Sequence, residues 1–186
     1  ISLGKELPDD DILDEPPRAQ NSNILNKKVL LRSYGFLGII EAGLLFVMFF
    51  YAWHHFGYTV GEMRTLSASI ENGTAASDVM YVYSYAITLG FGAVIAAQIG
   101  NVLECRSSKL PVYKSFKKKN KLMIVGIAVE VALFLLIAYV PFFNMLFETT
   151  SIKLHHLALL LICPLTLITL EEIRKWAAGR MRLYRK

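Results

Sequence analysis

Charge is scarce in this chain: 15 acidic and 20 basic residues make up 19% of its 186 positions. Set against 54% hydrophobic residues, that leaves too little polar material to wrap a soluble core, so an ordinary soluble domain is excluded and a membrane protein is implied. Cysteine is scarcer still. Cys105 lies near the inner end of one apolar run and Cys163 inside another, which gives neither a disulfide framework nor a metal-ligand spacing. No basic stretch leads into an apolar core and a cleavage site, so no targeting peptide is predicted. The chain opens Ile1-Ser2-Leu3-Gly4 and reads as a piece of something longer.

What the chain does hold is four apolar runs cut by charges, at 34–53, 79–103, 122–139 and 154–170. Each is near the ~20 residues that a spanning helix needs. The predicted fold class is therefore an all-α membrane protein, a four-transmembrane-helix bundle. Basic residues set its orientation, because Lys and Arg are retained on the cytoplasmic side. All but Arg64 and Lys153 fall before the first run, between the second and third, or after the fourth. Both termini and the 104–121 loop are expected in the cytoplasm, with 54–78 and 142–153 outside. The net charge of +5 then reflects topology and contact with anionic headgroups of the lipid bilayer, and no nucleic-acid partner is expected. The predicted organisation is a cytoplasmic acidic connector and interfacial lead-in at 1–33, a transmembrane domain at 34–175 and a basic cytoplasmic tail at 176–186.

Polar groups inside these runs need partners, since an unpaired amide or carboxylate in hydrocarbon costs several kcal/mol. In the first run Glu41 follows the small residues Gly35 and Gly38; it is either a packing residue or a group that handles ions. In the second, Gly92, Ala96 and Gly100 share one narrow side while Gln98 and Asn101 fall almost opposite, so both sides are claimed by protein. Glu130 is the only charge between Lys121 and Glu148. Pro164 should kink the fourth run, with Thr166 and Thr169 available to compensate. Counting ~1.5 Å per residue from the nearest cytoplasmic basic residue puts Glu41, Gln98 and Glu130 at about 12 to 14 Å depth and Asn101 at about 8 Å. A shared level of hard oxygen donors is what a cation site near the bilayer middle requires.

Two histidine pairs, His54-His55 and His155-His156, mark the outer ends of the first and fourth runs. They could bind a metal or sense pH, but neighbouring histidines diverge on a helix, and interfacial histidines are the simpler expectation. Between the runs, 56–78 is read as an outer loop rich in Gly, Ser, Thr and Asn that ends in a helix start at Ser77-Asp78. Glu171-Glu172-Ile173-Arg174-Lys175 reads as an interfacial, salt-bridged helix end.

Four stretches, in order, carry a resemblance: LGKELPDDDILDEPPR from Leu3, AAQIGNVLECRS from Ala96, AYVPFFNMLF from Ala138 and LEEIRKW from Leu170. Together they resemble the last four membrane helices of cation-transporting P-type ATPases, the group of calcium pumps, sodium pumps and bacterial relatives. The resemblance implies that Gln98 and Asn101 stand where the eighth helix contributes ion-ligand oxygens. Glu130 stands at a ninth-helix acid associated with an additional sodium site, and Asp11 at the acidic position of a loop that communicates with the phosphorylation domain. Glu41, at matching depth, joins them as an accessory candidate. Calcium pumps of the muscle type carry a carboxylate where Gln98 stands, and Asp14-Glu15 occupies positions where a basic pair is common, so ion and loop contacts differ in detail. The implied setting is a multi-pass protein of the plasma membrane whose partners are the rest of the same polypeptide and the transported cation, with ATP and Mg2+ used by the full-length pump. The Asp-Lys-Thr-Gly phosphorylation motif is absent from these residues, so this chain alone should neither hydrolyse ATP nor pump. The competing expectation is a stand-alone four-helix scaffold or small channel; an Asp-Lys-Thr-Gly upstream in the same frame decides against it.

Overall fold

A computed structural model describes residues 27–106, 111–115 and 120–177. Among the described residues every regular element is helical and no strand is present. A short helix α1 (Lys27–Leu30) runs into a π-helical stretch, Leu31–Leu37, and then into α2 (Gly38–His55). After them come α3 (Val60–Glu71), α4 (Ser77–Glu104), α5 (Val112–Ser115), α6 (Lys121–Tyr139), α7 (Pro141–Phe147), α8 (Leu154–Leu159) and α9 (Ile162–Ala177). Four stretches are long and apolar enough to cross a membrane: Leu31–His55, Ser77–Glu104, Lys121–Tyr139 and Leu154–Ala177. They contain the four runs read from the sequence. Asp11 and the acidic connector lie outside the described residues.

The bundle is built around α4. In its most apolar 18-residue window 44% of residues are buried, against 17% for the first and third spans. Small residues make that central position possible. Gly90 packs on Leu45 of α2, where an added Cβ would make only ordinary contact, 3.5 Å from the Leu45 carbonyl oxygen. At Gly92 it would come within 2.6 Å of Leu160 and 2.7 Å of Phe134, and at Gly100 within 3.0 Å of the Pro164 backbone. The helix can therefore approach α2, α6 and the fourth span at once, with backbones close and van der Waals contact replacing the hydrophobic drive that lipid does not supply. Ile124, Val125, Val129 and Leu133 of α6, like Phe46 and Val47 of α2, are exposed and apolar, which is the composition of a lipid-facing surface.

Three local features differ from the sequence reading. The segment 56–78 is not a plain loop, because Thr59 caps α3: the Glu62 amide donates to Thr59 Oγ1 at 3.3 Å and the Thr59 amide to Glu62 Oε2 at 2.7 Å. This reciprocal capping box satisfies two of the orphan donors at the helix start. Met63, Leu66 and Ile70 then pack the helix against the core. The fourth span is broken rather than merely kinked. Pro164 has no amide proton for the Leu160 carbonyl and its ring collides with the turn below. That carbonyl accepts instead from the Cys163 amide at 3.0 Å, and the chain turns at Leu160 and Leu161. Thr166 and Thr169 donate to Ile162 and Leu165 carbonyls one turn back, at 2.8 and 2.7 Å, so they leave the freed carbonyl alone. Third, the charged end of α9 is salt-bridged as read, but more deeply packed than a surface fringe: Glu171 and Lys175 are wholly buried against the protein.

Candidate functional site

Close packing of α2 on α4 brings the polar residues of the two helices face to face. Leu45 packs on Gly90, and because the helices run antiparallel, Glu41, which precedes Leu45, lies beside the part of α4 that follows Gly90. There the Asn101 side chain donates through Nδ2 to Glu41 Oε1 at 3.1 Å, and Gln98 donates through Nε2 to Glu41 Oε2 at 3.3 Å. Each carboxylate oxygen thus has its own amide. All three side chains are partly buried. Among the described residues no basic side chain forms an ion pair with Glu41. Asn101 Oδ1 also accepts from the Cys105 thiol at 3.4 Å.

Chemically this is one carboxylate and two amides, a set of hard oxygen donors once the amides present their carbonyls. A terminal amide carries a donor on one side and an acceptor on the other, so a half-turn of either side chain exchanges N–H for oxygen toward the same point. The set suits a hard cation such as Ca2+ or an alkali ion, and lacks the imidazoles and thiolates that softer metals prefer.

Of the other sequence candidates, Glu130 is not brought into this group. It lines a separate cleft of about 330 Å³ between α4 and α6, with Val102, Met123, Gly126, Ile127 and Leu133. Among the described residues it makes no hydrogen bond or ion pair. Asp11 lies outside the described residues. Glu41, Gln98 and Asn101 are therefore the candidates that converge.

At the basic end of the bundle Arg174 holds Glu171 in a fork, with Nε and Nη2 donating to separate carboxylate oxygens at 2.6 Å. Arg32, from the π-helical stretch, reaches the same carboxylate. Lys175, buried, pairs with Glu104 of α4 and with Glu172 at 2.9 Å. Glu172 also accepts from the Val112 amide at 3.2 Å, which ties α5 to α9. The network joins the first, second and fourth spans, and the sequence hinted at it only through the local run of charges.

The opposite end is joined by rings. Tyr85 of α4 contacts His156 Nδ1 at 2.6 Å through its hydroxyl, which also accepts from the Lys153 amide at 2.9 Å. His55, at the end of α2, crosses the His156 ring edge to face at 4.6 Å between centroids. The two histidine pairs thus meet. Beyond this end of the spans the Glu62 carboxyl is held below its usual range by hydrogen bonds from the Thr59 backbone and side chain.

Comparison with known proteins gives a family and a set of relatives. Residues 1–177 match the family model described as Cation transporting ATPase, C-terminus. Calcium-transporting ATPase 1 of Schizosaccharomyces pombe is 25% identical over 184 residues, which cover 99% of this chain and 18% of that protein. Calcium-transporting ATPase type 2C member 2 of Mus musculus is 25% identical over 174 residues, 94% of this chain and 16% of that protein. Sodium/potassium-transporting ATPase subunit alpha-4 of Rattus norvegicus is 22% identical over 189 aligned positions, again 94% of this chain and 18% of that protein. The chain accordingly spans less than a fifth of the length of these relatives.

Proposed function

We propose, since the chain belongs to the family of cation-transporting ATPase C-terminal regions, that its four spans are the membrane support domain of an ATP-driven cation pump of the P-type class. In this reading the rest of the polypeptide supplies the phosphorylated aspartate, the ATP and Mg2+ site and the principal ion ligands. These helices contribute side ligands and hold the transport helices in place. The termini and the 104–121 loop face the cytoplasm of a cell whose plasma membrane carries the pump, and Asp11 couples the connector to the phosphorylation domain.

The observation that carries the reading is the Glu41–Gln98–Asn101 group. A carboxylate bracketed by two amides, at a depth of about 12 Å from the basic end by helix rise, is costly as packing and useful as a cation ligand set. Glu130, in its own cleft, would act as a separate acid at the same level rather than as a fourth ligand of that group. The printed names of the relatives divide between calcium and sodium/potassium transport. Both ions are hard and take oxygen donors, so the ligand set fits either.

The test is cation-activated ATP hydrolysis by the full-length protein. Replacing one accessory ligand, Gln98→Ala, is expected to raise the half-saturating cation concentration about fivefold, the equivalent of ~1 kcal/mol of lost coordination, with expression unchanged. Glu41→Gln should act in the same direction. Half-saturation unmoved in both variants would assign the group to packing.

A further inference from the structure

Beyond the membrane-level cation group, the far end of the bundle carries a different cluster of ligand-bearing side chains. One ring nitrogen from each of His55, His155 and His156 lies within 4.8 Å of the others. They come from two spans: His55 from the last turn of α2, and His155 and His156 from the first turn of α8. Ring centroids are 4.0 Å apart for His155–His156, 4.6 Å for His55–His156 and 6.2 Å for His55–His155. Adjacent residues on one helix normally diverge by about 100°. Here the helix has only just begun, and both rings of the pair turn toward the end of α2.

We propose that His55, His155 and His156 form a binding site for a divalent transition-metal ion of the Zn2+ class on the non-basic face of the bundle. Three imidazoles with an open fourth position are a recognised ligand set for Zn2+, and imidazole nitrogen favours Zn2+, Ni2+ or Cu2+ over the hard cations that oxygen groups select. A tetrahedral ion with metal–nitrogen bonds of about 2.0–2.1 Å places its ligand atoms about 3.4 Å apart. The nitrogens must therefore draw together by an ångström or so. His55 and His155 are exposed and free to do this, while His156 is buried and fixed.

The fixed ring is also the oriented one. Its Nδ1 lies 2.6 Å from the Tyr85 hydroxyl, whereas its Nε2 has only the Tyr51 hydroxyl at 3.4 Å. A metal-bound histidine ordinarily engages its second nitrogen in a hydrogen bond that sets the ring plane and tautomer. Tyr85, itself held by the Lys153 amide, fills that place and leaves Nε2 for the ion. Such an ion would clasp the end of α2 to α8, the segment that Pro164 separates from the rest of its span, at the end of the bundle away from the ionic network. The site shares no ligand with Glu41, Gln98 and Asn101, so it stands or falls apart from the pump reading.

The test titrates the purified full-length protein in detergent with Zn2+ alone against a metallochromic competitor at neutral pH, since metal binding to imidazole competes with protons. One Zn2+ per chain is expected. His55→Ala and His155→Ala, both at exposed positions, should each weaken binding at least about tenfold, and Tyr85→Phe about tenfold through loss of orientation. His54→Ala and Gln98→Ala should leave it unchanged. Substitution with Co2+ should give the intense visible bands of a four-coordinate ion. Absence of stoichiometric Zn2+ binding, a loss in His54→Ala as large as in His55→Ala, or the weak bands of six-coordinate Co2+ would each overturn the proposal.

Discussion

Glu171 and Glu41 are carboxylates of one bundle in opposite circumstances. Glu171 is wholly buried, yet its charge is met twice over, by the Arg174 fork at 2.6 Å and by Arg32 from another span. Glu41 is less buried, and among the described residues its carboxylate is hydrogen-bonded by two neutral amides and by no cation. Removing a charge from water is tolerated when opposite charge and hydrogen bonds replace the lost solvation. By that measure Glu171 is complete as it stands, and its role is to fix the relative positions of three spans. Glu41 is solvated in part, by amide dipoles that can reverse, and no cationic side chain meets it among the described residues. Burial alone therefore does not identify a site; the kind of partner does.

The largest expected effect would break the comparison outright. Glu171→Ala leaves Arg32 and Arg174 facing a buried carboxylate that is gone, and should cost about 3–5 kcal/mol of stability, read as a lower thermal midpoint of the full-length protein in detergent. Glu41→Ala removes only two amide hydrogen bonds and should cost about 1–2 kcal/mol, while moving cation dependence in the direction expected for Gln98→Ala. If Glu41→Ala destabilises as much as Glu171→Ala and leaves cation dependence alone, the two carboxylates are the same kind of structural residue.

Glu130 gives a finer cut. It shares the depth of Glu41, but in its cleft among Val102, Ile127 and Leu133 it has no partner among the described residues. Glu130→Gln, which keeps the shape and removes the charge, should leave the midpoint within about 0.5 kcal/mol. Any effect on half-saturation should combine additively with that of Gln98→Ala, because the two groups share no contact. Strong non-additivity would place Glu130 in the Glu41 group after all.

The same pair of residues shows what was legible in the sequence. Four apolar runs gave the spans, and counting 1.5 Å per residue from the basic end put Glu41 and Gln98 at one level, where the structure joins them at 3.3 Å. Counting along an axis carries no azimuth, however, so Glu130 looked equivalent although it lines a cleft with Val102 and residues of α6 and is hydrogen-bonded to none of Glu41, Gln98 and Asn101. The Lys175–Glu104 pair and the meeting of His55 with His156 depend on how helix ends distant in sequence come together, and no local pattern encodes that. α3 was different: Thr59-Val60-Gly61-Glu62 followed by Met63, Leu66 and Ile70 is a capping box with helical periodicity, hidden by the polar composition around it.

That helix supplies the smallest expected effect and a control on both carboxylates. Glu62 is fully exposed, and its carboxyl is lowered by hydrogen bonds from the Thr59 amide and hydroxyl. A group whose folded value lies below its unfolded one stabilises the fold above the unfolded value, near 4.3 for Glu, and loses that contribution as pH falls through the folded value. Hydrogen exchange of the first-turn amides of α3 should therefore quicken as the pH is taken down through the lowered Glu62 carboxyl, once corrected for the intrinsic rate. Thr59→Ala should abolish this pH dependence and speed exchange by on the order of fivefold at neutral pH. Neither change should reach the thermal midpoint or the cation response, because the hydrogen bonds involved lie between Thr59 and Glu62 alone and touch none of the four spans. If Thr59→Ala did alter cation dependence, α3 would be coupled to the Glu41 group through Trp53 and Tyr58, whose rings meet edge to face at 5.3 Å at the C-terminal end of α2. The line between positions that hold the bundle and positions that meet the ion would then have to be drawn around α3 as well.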